Sequence, residues 1–107
     1  MAKLSIDIHP EAQLEQDEAF EWYRERSVLA AERFIQAIER ARTAIQNSPE
    51  GWAHYLHGTR RYLLKRYPYV VVYRVTDNRI EVIAIAHGRR RPGYWADRLK
   101  PRGDELT

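Results

Sequence analysis

No cysteine occurs anywhere in the sequence, so neither a disulfide nor a thiolate metal site can organise it, and a reducing compartment suits it. No apolar run approaches the roughly 18 residues that a membrane-spanning helix requires. The first residues, Met1-Ala-Lys-Leu-Ser-Ile-Asp-Ile, lack the apolar core of a secretory signal. These absences predict a soluble cytoplasmic protein with no membrane partner. His54 and His57 are three residues apart with no carboxylate or cysteine at ligand spacing, so no metal site is expected, and no other cofactor is called for. A length of 107 residues predicts one domain with one core, over about residues 4–98, and a flexible tail at 101–107.

What is present is unevenly distributed. The formal net charge is +3, yet residues 1–57 hold 6 Lys/Arg against 10 Asp/Glu, while residues 58–107 hold 12 against 5. A molecule polarised in this way is built to meet an anionic partner with its carboxyl-terminal half. Nucleic acid, an acidic protein surface and an acidic neutralising peptide all satisfy that description.

Along the chain, Lys3 to Ile8 alternates polar and apolar residues and predicts a short edge strand. Pro10 suits the first turn of a helix, and Glu11, Glu15, Asp17 and Glu18 suit the positive end of its dipole. Ala12, Ala19, Phe20, Tyr23 and Leu14 form the apolar stripe of that helix, which is expected to reach about Arg26. Ser27 caps a second helix to about Gln46, striped by Phe34, Ile38, Ala41 and Ile45, with Ala30 and Ala37 at close-approach positions. Asn47-Ser48-Pro49 ends it, and Glu50–His57 reads as a loop. Thr59–Tyr67 predicts a strand whose buried parity is left open. Tyr69–Val75 predicts a strand covered on both faces, and Asp77-Asn78 a two-residue hairpin. Arg79–His87 predicts the central strand, Ile80, Val82, Ala84 and Ala86 alternating with Glu81, Ile83, Ile85 and His87. The expected fold is α+β, in the order β-α-α-β-β-β: an antiparallel sheet with a helical hairpin packed on one face and the other face open.

That last strand delivers Gly88, then Arg89, Arg90 and Arg91, and turns at Pro92-Gly93 into Tyr94-Trp95. Three arginines released from a buried strand can meet a phosphate or a carboxylate, and the competing reading is a solvated strand end. Arg60, Arg61, Lys65 and Arg66 extend the same basic surface or decorate an edge strand. His87 reads as a proton carrier, a structural residue at a strand end, or a partner contact. Tyr67, Tyr69 and Tyr73 read as packing, and Trp95 as a residue that folds back over the end of the sheet.

The element order, Ala19-Phe20 and Phe34 on the helices, Tyr67-Pro68-Tyr69-Val-Val-Val-Tyr73, and Ala86-His87-Gly88-Arg89-Arg90-Arg91-Pro92-Gly93-Tyr94-Trp95 together resemble the RelE/ParE superfamily of bacterial toxins. The resemblance implies a type II toxin whose partner is a cognate antitoxin, in a heterotetramer or larger complex, with DNA gyrase or the ribosome and its messenger RNA as target. Members of the RelE kind cleave messenger RNA by activating a ribose 2′-hydroxyl, which needs cations on the phosphate and a group that moves protons. Such relatives place an arginine three residues before a middle-strand tyrosine. Tyr73 matches that tyrosine, and Val70 takes the arginine's place. Arg90 matches a second arginine, and Tyr94 approximates a carboxyl-terminal tyrosine, so a nuclease would use His87, Arg90 and Tyr94. Members of the ParE kind have largely lost this set and poison DNA gyrase, and Val70 favours that kind. Arg60, Arg61, Arg89, Arg90 and Arg91 are the expected target or antitoxin contacts.

Overall fold

The structure, a computed structural model, describes residues 3–100; the tail expected at 101–107 lies outside the described residues. Strand β1 (Ser5–Ile8) leads into helix α1 (Pro10–Arg26) and helix α2 (Val28–Asn47). Then come β2 (Ala53–His54), β3 (Arg60–Leu63), β4 (Tyr69–Thr76) and β5 (Arg79–His87). Single 3₁₀ turns lie at Leu56–Gly58 and Ala96–Leu99. Among the described residues no helix is long and apolar enough to cross a membrane.

Local chemistry sets the helix ends. His9 Nδ1 accepts from Glu11 N at 3.1 Å, with Pro10 in the first turn where its missing donor costs nothing. Ser27, extended at φ −167°, donates its N–H to Tyr23 O and accepts from Ala30 N with its hydroxyl, closing one helix and opening the next. On α2 the buried residues are Ala31, Phe34, Ala37, Ile38, Ala41 and Ile45, with Ala31 rather than Ala30 at the first close approach. Helix α1 buries only Ala12 and Ala19 fully, and Leu14 faces solvent instead of joining the stripe.

The sheet runs β1-β5-β4-β3-β2. It is mixed rather than antiparallel throughout: β1 lies parallel to β5, pairing Ser5 with Arg79 through Ile8 with Val82. A parallel neighbour needs a long crossover, and the helical hairpin with the strands after it supplies one. The expected loop contributes β2, paired with Arg60 and Arg61, and β3 ends at Leu63, short of the expected Tyr67. Its inward parity is Arg60 and Tyr62, and Leu63 stands 61% exposed. The hairpin at Asp77-Asn78 has φ of 50° and 59°, the positive values that a primed turn demands.

Strict alternation along β5 fails at one place. Tyr73 pairs with Val82 and Val72 with Ala84, so Ile83 is an extra residue, a β-bulge. Ile80 and Val82 before it, and Ile85 after it, join the core under the helices, whereas Ile83, Ala84 and Ala86 belong to a second cluster on the opposite face. The bulge therefore moves Ile85 to the helical side, where alternation had grouped it with Ile83, and brings His87 beside Tyr69.

The second face is not open. Beyond Gly93, at φ 83° where only glycine is unstrained, the chain folds back as a strap. Trp95, 1% exposed, packs with Val72, Ile83, Ala84 and Ala86, flanked by Tyr55, Val70, Tyr94 and Leu99. The basic surface expected on that open face is confined by this strap to its rim.

Candidate interaction site

The carboxyl end of β5 stands between two concavities. On the outer face a cavity of about 230 Å³ has an aliphatic floor of Val70, Val72 and Ala86, walls of Tyr55, Tyr94 and Trp95, and a rim carrying Arg61, Arg90 and Arg91. On the helical side a groove of about 440 Å³ is bounded by Glu18, Ala19, Trp22 and Tyr23 of α1, by Tyr69, and by Arg89 and Arg90. His87, Arg90 and Tyr94 line both. The two are divided by a wall in which the Arg90 guanidinium lies 3.8 Å from the centre of the Tyr94 ring.

Of the arginines singled out from the sequence, Arg61, Arg90 and Arg91 meet at the outer cavity, Arg61 also lying over Tyr55 at 4.9 Å. Arg89 and Arg90 meet at the groove. Arg60 joins neither: its parity turns it under the sheet, where Nη1 donates to Trp52 O at 2.8 Å. Lys65 and Arg66 stand exposed on the turn between β3 and β4. Among the described residues Arg61, Arg89, Arg90 and Arg91 form no ion pair, whereas Arg74 pairs with Glu81 at 2.9 Å and Arg98 with Glu15 at 2.8 Å.

His87 Nδ1 accepts from Arg89 N at 3.0 Å, so a neutral imidazole carries its proton on Nε2, and the ring meets Tyr69 edge-on at 5.1 Å. Tyr94 donates its hydroxyl to Glu15 Oε2 at 2.5 Å. Burial first, then that bond to a carboxylate, push the Tyr94 phenol far above its ordinary range. A phenol so held is a poor proton donor to anything else. The remaining tyrosines pack as the sequence indicates: Tyr67 and Tyr69 meet Phe34 at 5.5 and 5.6 Å, and Tyr73 donates to Pro49 O at 2.6 Å.

Sequence reasoning missed two contributors. Tyr55 reaches the outer cavity from what reads as a featureless loop. Glu15, seen only as one of several acids near a helix start, is 14% exposed and bonds to Tyr94, to Arg98 and to the amide of Ile85. Nothing in the local pattern separates Glu15 from Glu11 or Glu18, because its partners are 70 or more positions away.

The profile of the family described as the ParE toxin of the type II toxin-antitoxin system, parDE, matches residues 6–92, ending just before the strap. Among solved structures, one titled as a chromosomal ParDE toxin-antitoxin system from P. aeruginosa superposes with a TM-score of 0.59 at 18% identity, over 79% of this chain and 96% of that chain. A search of curated proteins finds no match.

Proposed function

The chain belongs to the ParE toxin family of type II toxin-antitoxin systems, with a cognate antitoxin as the partner such a system implies, and from that premise we propose that it arrests growth by binding DNA gyrase rather than by cutting RNA. The observation that carries this reading is the floor of the outer cavity. At Val70, where RNA-cleaving relatives hold an arginine, the floor is aliphatic and continues through Val72 and Ala86. A valine cannot stabilise charge gathering on a phosphate, and losing one such donor typically costs about 3–4 kcal/mol of transition-state stabilisation. The commitment of the Tyr94 hydroxyl to Glu15 weakens the nuclease set His87, Arg90 and Tyr94 further. An apolar floor ringed by Arg61, Arg90 and Arg91 suits a protein segment with an apolar side chain flanked by acids. The antitoxin neutralises the toxin by covering this rim, in a complex of heterotetramer size or larger, and the site of action is the cytoplasm.

Two assays separate the readings. Purified toxin should abolish gyrase supercoiling while leaving no new messenger RNA ends on translating ribosomes by primer extension. Codon-linked cuts with intact supercoiling would reverse the assignment. Arg90→Ala should relieve growth arrest, whereas Arg24→Ala, which touches only the exposed pair with Glu21, should not, with both folded by circular dichroism. Equal relief from the two would remove the arginine rim from the mechanism.

A further inference from the structure

Beyond Val82 the pairing with β1 stops, His9 N making the last backbone bond to Val82 O at 2.9 Å. From the bulge onward one edge of β5 has no strand beside it among the described residues. Two side chains stand in for the missing strand. Glu15 Oε1 accepts from Ile85 N at 3.0 Å, and Arg98 Nη1 donates to Ile83 O at 3.1 Å. The same two groups bond to each other, Nη1 to Oε1 at 2.8 Å and Nη2 to Oε2 at 3.0 Å. A forked carboxylate–guanidinium pair offers an acceptor and a donor side by side, as the peptide group of a neighbouring strand would. Burial works against the Arg98 charge, and the hydrogen bond and charge of Glu15 outweigh it, holding the guanidinium above its ordinary pKa.

The second carboxylate oxygen also takes the Tyr94 hydroxyl. Tyr94 is thereby fixed at its tip by Glu15, with the Arg90 guanidinium 3.8 Å and the Arg98 guanidinium 5.3 Å from its ring centre. We infer that Glu15 is the positioning residue of the interaction site: by holding the Tyr94 ring against the edge of β5, it sets where Arg90 stands between the two cavities. Glu15 lies at the base of the groove that Arg89, Arg90 and Tyr94 also line. It acts through Tyr94, and its effect on the toxin rests on the reading that Arg90 meets the target.

The test has a spectroscopic arm independent of any target. In the wild-type chain the Arg90 guanidinium lies over the Tyr94 ring, so its side-chain protons should be shifted upfield by the ring current. Tyr94→Phe keeps the ring and the Glu15–Arg98 pair but removes the hydroxyl, and Glu15→Gln removes the charge. Both should return the Arg90 resonances towards random-coil values, Glu15→Gln more fully. In supercoiling assays Glu15→Gln and Arg90→Ala should each raise the concentration needed for half-inhibition about tenfold, and the double variant should be no worse than Arg90→Ala alone. Arg90 resonances that keep their wild-type upfield positions in folded Tyr94→Phe would overturn the inference, as would additive losses in the double variant. If Glu15→Gln fails to fold, Tyr94→Phe decides. If wild-type protein leaves gyrase untouched, the target reading fails and the resonances alone decide this one.

Discussion

At Tyr73 the ring is fully buried while its hydroxyl finds the carbonyl of Pro49 across the end of the helical layer. Removing the hydroxyl leaves that carbonyl without its donor, so Tyr73→Phe should cost about 1 kcal/mol at neutral pH. Burial raises the phenol from 10.0 to about 12, against a smaller lowering by the Arg60 charge. The sign follows from which state holds the proton longer. Below pH 10 the folded and unfolded chains are both protonated here and the stabilisation is complete. As pH rises past 10 the unfolded phenol ionises first, and stability falls until the folded phenol ionises near 12. Urea midpoints measured between pH 9 and 11.5 should therefore decline less steeply for Tyr73→Phe than for wild type. Equal slopes would mean that this phenol is not held protonated by the fold.

Among elements, the strap is the informative one. Its anchors are Trp95 in the outer cluster, Arg98 on Glu15 and the β5 edge, and Leu99 O accepting from Arg74 Nη1 at 3.2 Å. The indole is the largest side chain almost wholly removed from water. Trp95→Ala should cost about 3–5 kcal/mol, read as a lower urea midpoint, because the cavity it leaves cannot close against a rigid sheet. A loss under ~1 kcal/mol would mean that the strap is not integral to the fold. Of the elements themselves, α1, α2 and the β4–β5 hairpin were legible: Pro10, Ser27, Pro49 and Asp77-Asn78 mark their ends by local chemistry. The bulge at Ile83 was not legible, because Glu-Val-Ile-Ala-Ile-Ala suits either face and a run apolar on both parities conceals an extra residue. The parallel β1–β5 pairing was hidden for a different reason, since strand direction is set by where the chain returns.

For the whole molecule, a group of arginines unpaired among the described residues gathers at one place. The amino-terminal acids Asp7 and Glu15 meet Arg79 and Arg98 from the basic half, at 3.7 and 2.8 Å. That pairing stitches the halves together, and among the described residues Arg61, Arg89, Arg90 and Arg91 remain outside any ion pair around the carboxyl end of β5. Exposed charges of one sign accelerate encounter with an acidic partner and are screened within about 10 Å at 0.1 M salt. The association rate with the cognate antitoxin should fall several-fold between roughly 50 and 300 mM NaCl, by stopped-flow fluorescence, with dissociation changing far less. A rate indifferent to salt would leave the charge asymmetry without a part in recognition.

By itself the sequence determined what depends on neighbours in the chain: the caps, the amphipathic stripe of α2, the hairpin turn, and the run of arginines placed after a strand buried on both faces. With the motif order, that sufficed to indicate the ParE-like fold and the valine at position 70. Tertiary structure alone decided what depends on groups meeting across 70 or more positions. It turned Arg60 under the sheet and Arg61 out of it, closed the outer face with Trp95, and chose Glu15 from a row of similar acids. The reason is physical: a strand edge left unpaired must find a donor and an acceptor somewhere, and only the folded geometry says which side chains are near enough to serve.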